Sequence, residues 1–212
     1  MPGRGLFITL EGGEGAGKTT LASTLADAFS RTGREVVRTR EPGGTANAEV
    51  LRALLVEGDA GRWSPVSETL LMFAARVDHV ERVIAPALER GAVVICDRFT
   101  DSTRAYQGAA GGVASARIEA IAQAALDGFA PHLTFVIDLD PEAGLARTRA
   151  RGEAETRFER RPEVFHAALR RAFLAIAEAE PERCVVLNGA EGPQTVARHA
   201  LEVIEQRFGA LS

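Results

Sequence analysis

The chain has 212 residues, 46% of them hydrophobic and 25% charged, with a formal net charge of −4. That length suits a single domain with a full core, and the balance excludes a disordered chain, a collagen and a coiled coil. No apolar run approaches the ~18 residues of a membrane span, and the net negative charge argues against a protein that coats nucleic acid. Neither a membrane nor a nucleic acid is expected as a partner.

The elements follow in chain order. Gly5 to Leu10 reads as a first strand, its apolar run too short for a signal peptide. Lys18 to Arg31 reads as a helix stopped by Gly33, and Glu35 to Thr39 as a second strand. Pro42 and the paired glycines mark Glu41 to Thr45 as a loop. Helices are predicted over Ala48–Val56 and Ser67–Leu88, the second with Pro86 near its end. Ala92 to Cys96 is a continuous apolar strand, and Ile118 to Leu126 is helical. Leu133–Ile137 and Cys184–Leu187 are further strands, with helices at Glu142–Ala150, Val164–Ala179 and Thr195–Phe208. No repeat or linker divides residues 1–212, which read as one domain.

Strands alternating with helices predict an α/β fold, a parallel sheet covered on both faces. Ligands then bind beyond the carboxyl ends of the strands. The loops after Leu10, Thr39, Cys96 and Ile137 should converge there. Cys96 and Cys184 lie far apart in strand-like runs and read as reduced core thiols of a cytoplasmic protein. His79, His132, His166 and His199 show no metal-ligand spacing.

Directly after the first strand comes Gly12-Gly13-Glu14-Gly15-Ala16-Gly17-Lys18-Thr19-Thr20, which fits the phosphate-binding pattern G-x-x-x-x-G-K-[ST] in its required strand-to-helix context. Glycines let successive N–H groups turn toward phosphate oxygens, and the helix start adds partial positive charge. Lys18 supplies a compact charge for β- and γ-phosphates, and the Thr19 hydroxyl suits Mg²⁺. Lys18 is the only lysine, against 24 arginines. Nucleotide switches that need a second lysine, for guanine or as a signature, are thereby excluded. What remains is a small-molecule kinase or an ATPase of another kind.

Asp97 closes an apolar strand, the position of an acid that serves Mg²⁺, and Arg98 can clamp phosphate through its fork. Phe73 and Arg76, three apart on a helix, project from one face, either as a ring and guanidinium that stack on a base and bond its edge or as a core Phe beside a surface Arg. Six arginines fall between Arg147 and Arg161, the composition of a lid over about 149–161 or of a solvated helical face.

Together the segments FITLEGGEGAGKTT (Phe7 to Thr20), TREPGGT, LMFAAR, DRFTDSTRAYQG and DLDPEAGLARTRAR resemble the bacterial thymidylate kinase family. The resemblance implies a P-loop NTPase fold with a five-stranded parallel sheet. It also implies transfer of the ATP γ-phosphoryl to dTMP for dTTP synthesis, Mg²⁺ as cofactor and a homodimer. By the same resemblance, Arg98 bridges the two phosphoryl groups and Phe73 stacks on thymine. Arg76 meets the exocyclic oxygen of the base, and Tyr106 and Gln107 lie beneath the sugar and base. Glu14 orients the phosphate-binding arginine or the sugar 3′-hydroxyl, and Arg52 and Ser102 complete the substrate set. The P-loop holds no arginine, which resembles the subtype with catalytic arginines in the lid; the choice there lies among Arg149, Arg151 and Arg157, with Arg151 first and Arg157 second. The family's Asp-Arg-x-Glu stands here as Thr156-Arg157-Phe158-Glu159. The rivals are a kinase for another nucleotide and a non-catalytic nucleotide switch.

Overall fold

The computed structural model describes residues 5–59, 61–150 and 157–209. Five parallel strands form one sheet in the order β2-β3-β1-β4-β5. They are β1 (Leu6–Glu11), β2 (Val36–Arg40), β3 (Val93–Asp97), β4 (Leu133–Asp138) and β5 (Cys184–Asn188). All six residues of β1 are buried, because it is the central strand with a helical layer on each face.

The period of two along β1 sorts its side chains between the layers. Leu6, Ile8 and Leu10 join the cluster under α1 (Lys18–Arg31) and α9 (Pro193–Phe208). Phe7 points to the other face, where Phe99 meets it edge-on with ring centroids 5.1 Å apart. That second cluster is closed by α3 (Pro65–His79), α4 (Ala85–Glu89) and α6 (Ser115–Leu126). A third cluster seats α8 (Glu163–Ala179) against β4 and β5 through Phe165, Leu169 and Phe173.

The expected elements are present, with two refinements. The long helix predicted over Ser67–Leu88 is α3 running through a π-helical turn, Val80–Ile84, into α4. Pro86 lacks the N–H that a regular ladder needs, and the wider turn precedes it. Thr100–Ala109, to which the sequence assigns no element, forms α5 (Thr100–Thr103) and a second π-helical turn, Arg104–Ala109. Two more helices complete the described residues: α2 (Ala46–Val56), capped by Thr45 Oγ1 accepting from Ala48 N–H, and α7 (Pro141–Ala150).

The chain turns to one side of β1 for β2 and β3 and to the other for β4 and β5. This makes the carboxyl end of β1 the switch point where α/β sheets bind ligands. In the register, Leu10 of β1 lies beside Asp97 of β3, which lies beside Arg40 of β2. Three of the four loops expected to converge do so there. The helix that follows β4, α7, packs against the first loop: a Cβ on Gly15 would overlap the carbonyl oxygen of Gly144.

Candidate active site

Gly12 to Thr20 wrap from β1 into α1, with Gly17 at φ 101°, a left-handed value that excludes most other residues. Nζ of Lys18 donates to the carbonyl oxygens of Gly12 and Gly13 at 3.2 and 2.8 Å. Burial and the nearby Arg98 charge hold its ammonium below the ordinary lysine range. Thr19 donates through Oγ1 to Oδ2 of Asp97 at 3.1 Å, so the hydroxyl and the carboxylate already face one another. Mg²⁺ typically takes one or two protein oxygens and leaves its other positions to water and phosphate. This pair fits that pattern.

Arg98 sits at φ 72°, a strained value for a side chain with a Cβ. Glu11 holds that turn. Its Oε1 accepts from the N–H groups of Phe99 and Ser102 at 2.8 and 3.2 Å, and its Oε2 from the Ser102 hydroxyl at 2.6 Å. Burial first and the Asp101 charge second raise the Glu11 carboxyl to about 7. The guanidinium of Arg98 reaches Gly12 O, Ser102 Oγ and Glu14 Oε1 at 3.1, 3.1 and 2.9 Å.

Glu14 also accepts from the Tyr106 hydroxyl at 2.7 Å. Burial alone would raise its carboxyl; the charges of Arg98 and Lys18 overcome it and hold the group at about 2. Burial pushes the Tyr106 phenol well above its ordinary range, so it stays a donor. Glu14 is thus a permanent anion that orients Arg98 and Tyr106, and the Arg98 guanidinium lies 5.0 Å over the Tyr106 ring.

Beside the cradle lies a cleft. Its walls include Glu14, Arg52, Arg76, Arg98, Ser102, Tyr106 and Gln107, all predicted to bind substrate. Arg52 donates to the carbonyl oxygen of Pro42 at 2.8 Å. Arg76 is anchored on three sides: Nε to Glu41 at 2.6 Å, and Nη2 to Phe99 O and Thr103 Oγ1 at 3.1 Å each. Among the described residues, its Nη1 is buried with no hydrogen-bond partner. A buried donor left unpaired costs about 1–3 kcal/mol, so this atom marks a place for a ligand acceptor.

Two sequence expectations are corrected. Phe73 does not line the cleft. It is 3% exposed within the second core cluster, with its ring 4.7 Å from the Arg76 guanidinium. The helix register turns Met72, four residues before Arg76, to the cleft instead. Arg157, placed by sequence in a catalytic lid, is buried and lines neither the acceptor cleft nor the cleft over the P-loop. It donates through Nε to Leu55 O and through Nη2 to Glu68, with its guanidinium over Phe158. Arg151 lies outside the described residues.

Sequence reasoning passed over Glu11, Glu41, Glu68 and Met72. Buried acids are legible in a sequence only as carboxylates beside apolar runs, as Glu11 is. Phe158, quoted only as a motif position, caps the cleft and meets Tyr106 edge-on at 5.4 Å.

A family model described as thymidylate kinase matches residues 10–200. The chain belongs to the thymidylate kinase family. It is 52% identical over 206 residues to the thymidylate kinase of Caulobacter vibrioides, covering 97% of this chain and 99% of that one. Identity to the Dinoroseobacter shibae thymidylate kinase is 51%, over 89% and 90% of the two chains. The crystal structure of thymidylate kinase from Ehrlichia chaffeensis superposes with a TM-score of 0.79 at 33% identity, covering 96% of this chain and all of that one. The fold is therefore that of a P-loop nucleotide kinase. Among the described residues, no helix is long and apolar enough to cross a membrane.

Proposed function

We propose that this enzyme transfers the γ-phosphoryl group of ATP to dTMP, giving dTDP and ADP, a step in dTTP synthesis. The observation that carries the reading is the unpaired Nη1 of Arg76 in the cleft beside the phosphate cradle. A pyrimidine with a 4-oxo group supplies the missing acceptor. The sugar then lies toward Tyr106, and the 5′-phosphate toward Arg98 and Ser102.

The nucleophile is an oxygen of the dTMP phosphate. Its second pKa is about 6, so it attacks without a general base. Its bond to the γ-phosphorus forms as the bond from that phosphorus to the β-bridging oxygen breaks, and ADP leaves. The protein's work is positioning and charge neutralisation. The P-loop N–H groups and Lys18 hold the β- and γ-phosphates. Arg98 gives up its carbonyl and hydroxyl contacts to bridge donor and acceptor phosphates, while Glu14 keeps it aimed. Thr19 and Asp97 would hold Mg²⁺, which neutralises phosphate charge when bound. Arg151 is the proposed transition-state arginine. Glu159, eight residues further on, lines the cleft over the P-loop.

The enzyme is further proposed to act in the cytoplasm as a homodimer. Buried reduced thiols at Cys96 and Cys184 support the compartment. Exposed Val50 and Leu70, on the mutually packed helices α2 and α3, support a covered face. The direct test of function is ADP release from ATP with and without dTMP, with dTDP identified by mass. Turnover that needs no acceptor would replace this reading with that of an ATPase.

A further inference from the structure

Gln107 lines the acceptor cleft, and its amide has a fixed orientation with an identifiable cause. Its Nε2 donates to Oε1 of Glu68 at 2.6 Å, and both residues are buried. A carboxylate oxygen only accepts, so the amide must turn its nitrogen to Glu68 and its carbonyl oxygen the other way. Among the described residues, that carbonyl has no protein hydrogen-bond partner. Oε2 of Glu68 is held in turn by Nη2 of Arg157, which fixes the carboxylate in place. Thr103 Oγ1, on the same cleft, already accepts from Nη2 of Arg76.

We infer that Glu68 is a positioning residue that sets base selectivity. By fixing the Gln107 amide it presents one uncommitted acceptor to the cleft, while Arg76 presents one uncommitted donor. An acceptor with a donor complements a pyrimidine edge carrying N3–H and a 4-oxo group, the edge of thymine and uracil. Cytosine carries the reverse pattern, a bare N3 and a 4-amino group, and would set donor against donor and acceptor against acceptor. Leaving buried polar groups unpaired is the strongest basis for rejecting a near-isosteric ligand. The inference rests on the dTMP-kinase reading and adds the cause of the selectivity.

Glu68→Gln makes a specific test. Arg157 claims the single oxygen of the new amide, so its nitrogen faces Gln107. Gln107 then answers with its carbonyl and turns its own Nε2 into the cleft. The expected result is a fall of about tenfold or more in the dTMP:dCMP ratio of kcat/KM, the scale of one charge-free hydrogen bond gained or lost at each edge. The dTMP:dUMP ratio should hold, because those two bases share the edge, and the KM for ATP should hold as well. General structural damage would lower all three acceptors together and leave the ratios in place. A folded Glu68→Gln enzyme with the wild-type dTMP:dCMP ratio overturns the inference. If Glu68→Gln does not fold, the paired variant Glu68→Leu with Arg157→Leu, which replaces the buried ion pair by apolar side chains and frees the Gln107 amide to turn, carries the same comparison: a collapsed ratio supports the inference and an unchanged ratio overturns it. Failure of the underlying function looks different, since the wild-type enzyme would then not use dTMP at all.

Discussion

Nε of Arg76 donates to Oε2 of Glu41 at 2.6 Å, with both side chains almost fully enclosed. Glu41 is itself held by His79, whose Nδ1 lies 3.0 Å from Oε1. The pair aims the arginine so that one nitrogen remains for a ligand. Arg76→Lys keeps a charge for Glu41 but removes that nitrogen. It should lower kcat/KM for dTMP roughly 10- to 150-fold, the worth of a hydrogen bond to a charged group of about 1.5–3 kcal/mol, with the KM for ATP unchanged. Arg76→Ala should in addition destabilise the fold by about 3–5 kcal/mol, because it leaves a buried carboxylate short of its counter-charge. Steady-state kinetics and urea denaturation separate the two effects. Unaltered dTMP kinetics in both variants would remove Arg76 from the site.

Lys18→Ala should abolish transfer and leave the fold intact. Among the described residues its hydrogen bonds go to the backbone carbonyls of Gly12 and Gly13, and Glu14 keeps Arg98 as its counter-charge when the lysine is removed. Lys18→Arg should also be poor, since a rigid fork does not follow a moving phosphoryl group as a point charge does. Activity above a few per cent of wild type in the alanine variant, with unchanged thermal stability, would contradict the role.

The lid arginines should divide by function. Arg157→Ala should cost about 3–5 kcal/mol of stability, since it strands Glu68 in the interior. Arg151→Ala should lower kcat by about 10³–10⁵, the value of a transition-state arginine supplied by a separate element, with little change in ATP affinity. Arg160, which bonds Gly58 O at 2.8 Å, and Arg161, over the Phe165 ring, should be mild when changed to alanine. Single-turnover rates and melting curves on the four variants test this. A uniform small loss of rate in all four would mean that no single arginine is dedicated to the transition state.

The P-loop and its neighbours were legible because each is a local event. A strand, a glycine turn and a helix start are consecutive in the chain, and Asp97 and Arg98 follow an apolar strand directly. Phe73 was misplaced because the spacings of three and four both keep residues on one helical face. Only packing against β3 and α6 decides that Met72 meets the cleft and Phe73 the core. Arg157 was misread for a related reason. Its partner, Glu68, is 89 residues away, and nothing local in either segment announces the pair. The helical course of Thr100–Ala109 was missed because threonine, glycine and the wide π-turn weaken the period that marks a helix.

Stability should depend on pH through Glu11. Its carboxyl is raised from 4.5 to about 7 in the folded protein by burial and by Asp101. The native state therefore holds this proton more tightly than the unfolded chain. The contribution is fully present below pH 4.5 and is lost as the pH rises toward about 7. Glu11→Gln does not titrate there. The melting temperature of wild type minus that of Glu11→Gln should fall as the pH is raised across this window. A flat difference would mean that Glu11 is ionised in both states throughout.

The most direct measurement of the central claim is a coupled assay of ADP release, with ATP held fixed, across the nucleoside and deoxynucleoside monophosphates. The account predicts that dTMP gives the highest kcat/KM, that dUMP follows, and that dCMP and the purine monophosphates give little above the rate without acceptor. A higher kcat/KM for UMP, dCMP or a purine monophosphate than for dTMP would contradict it.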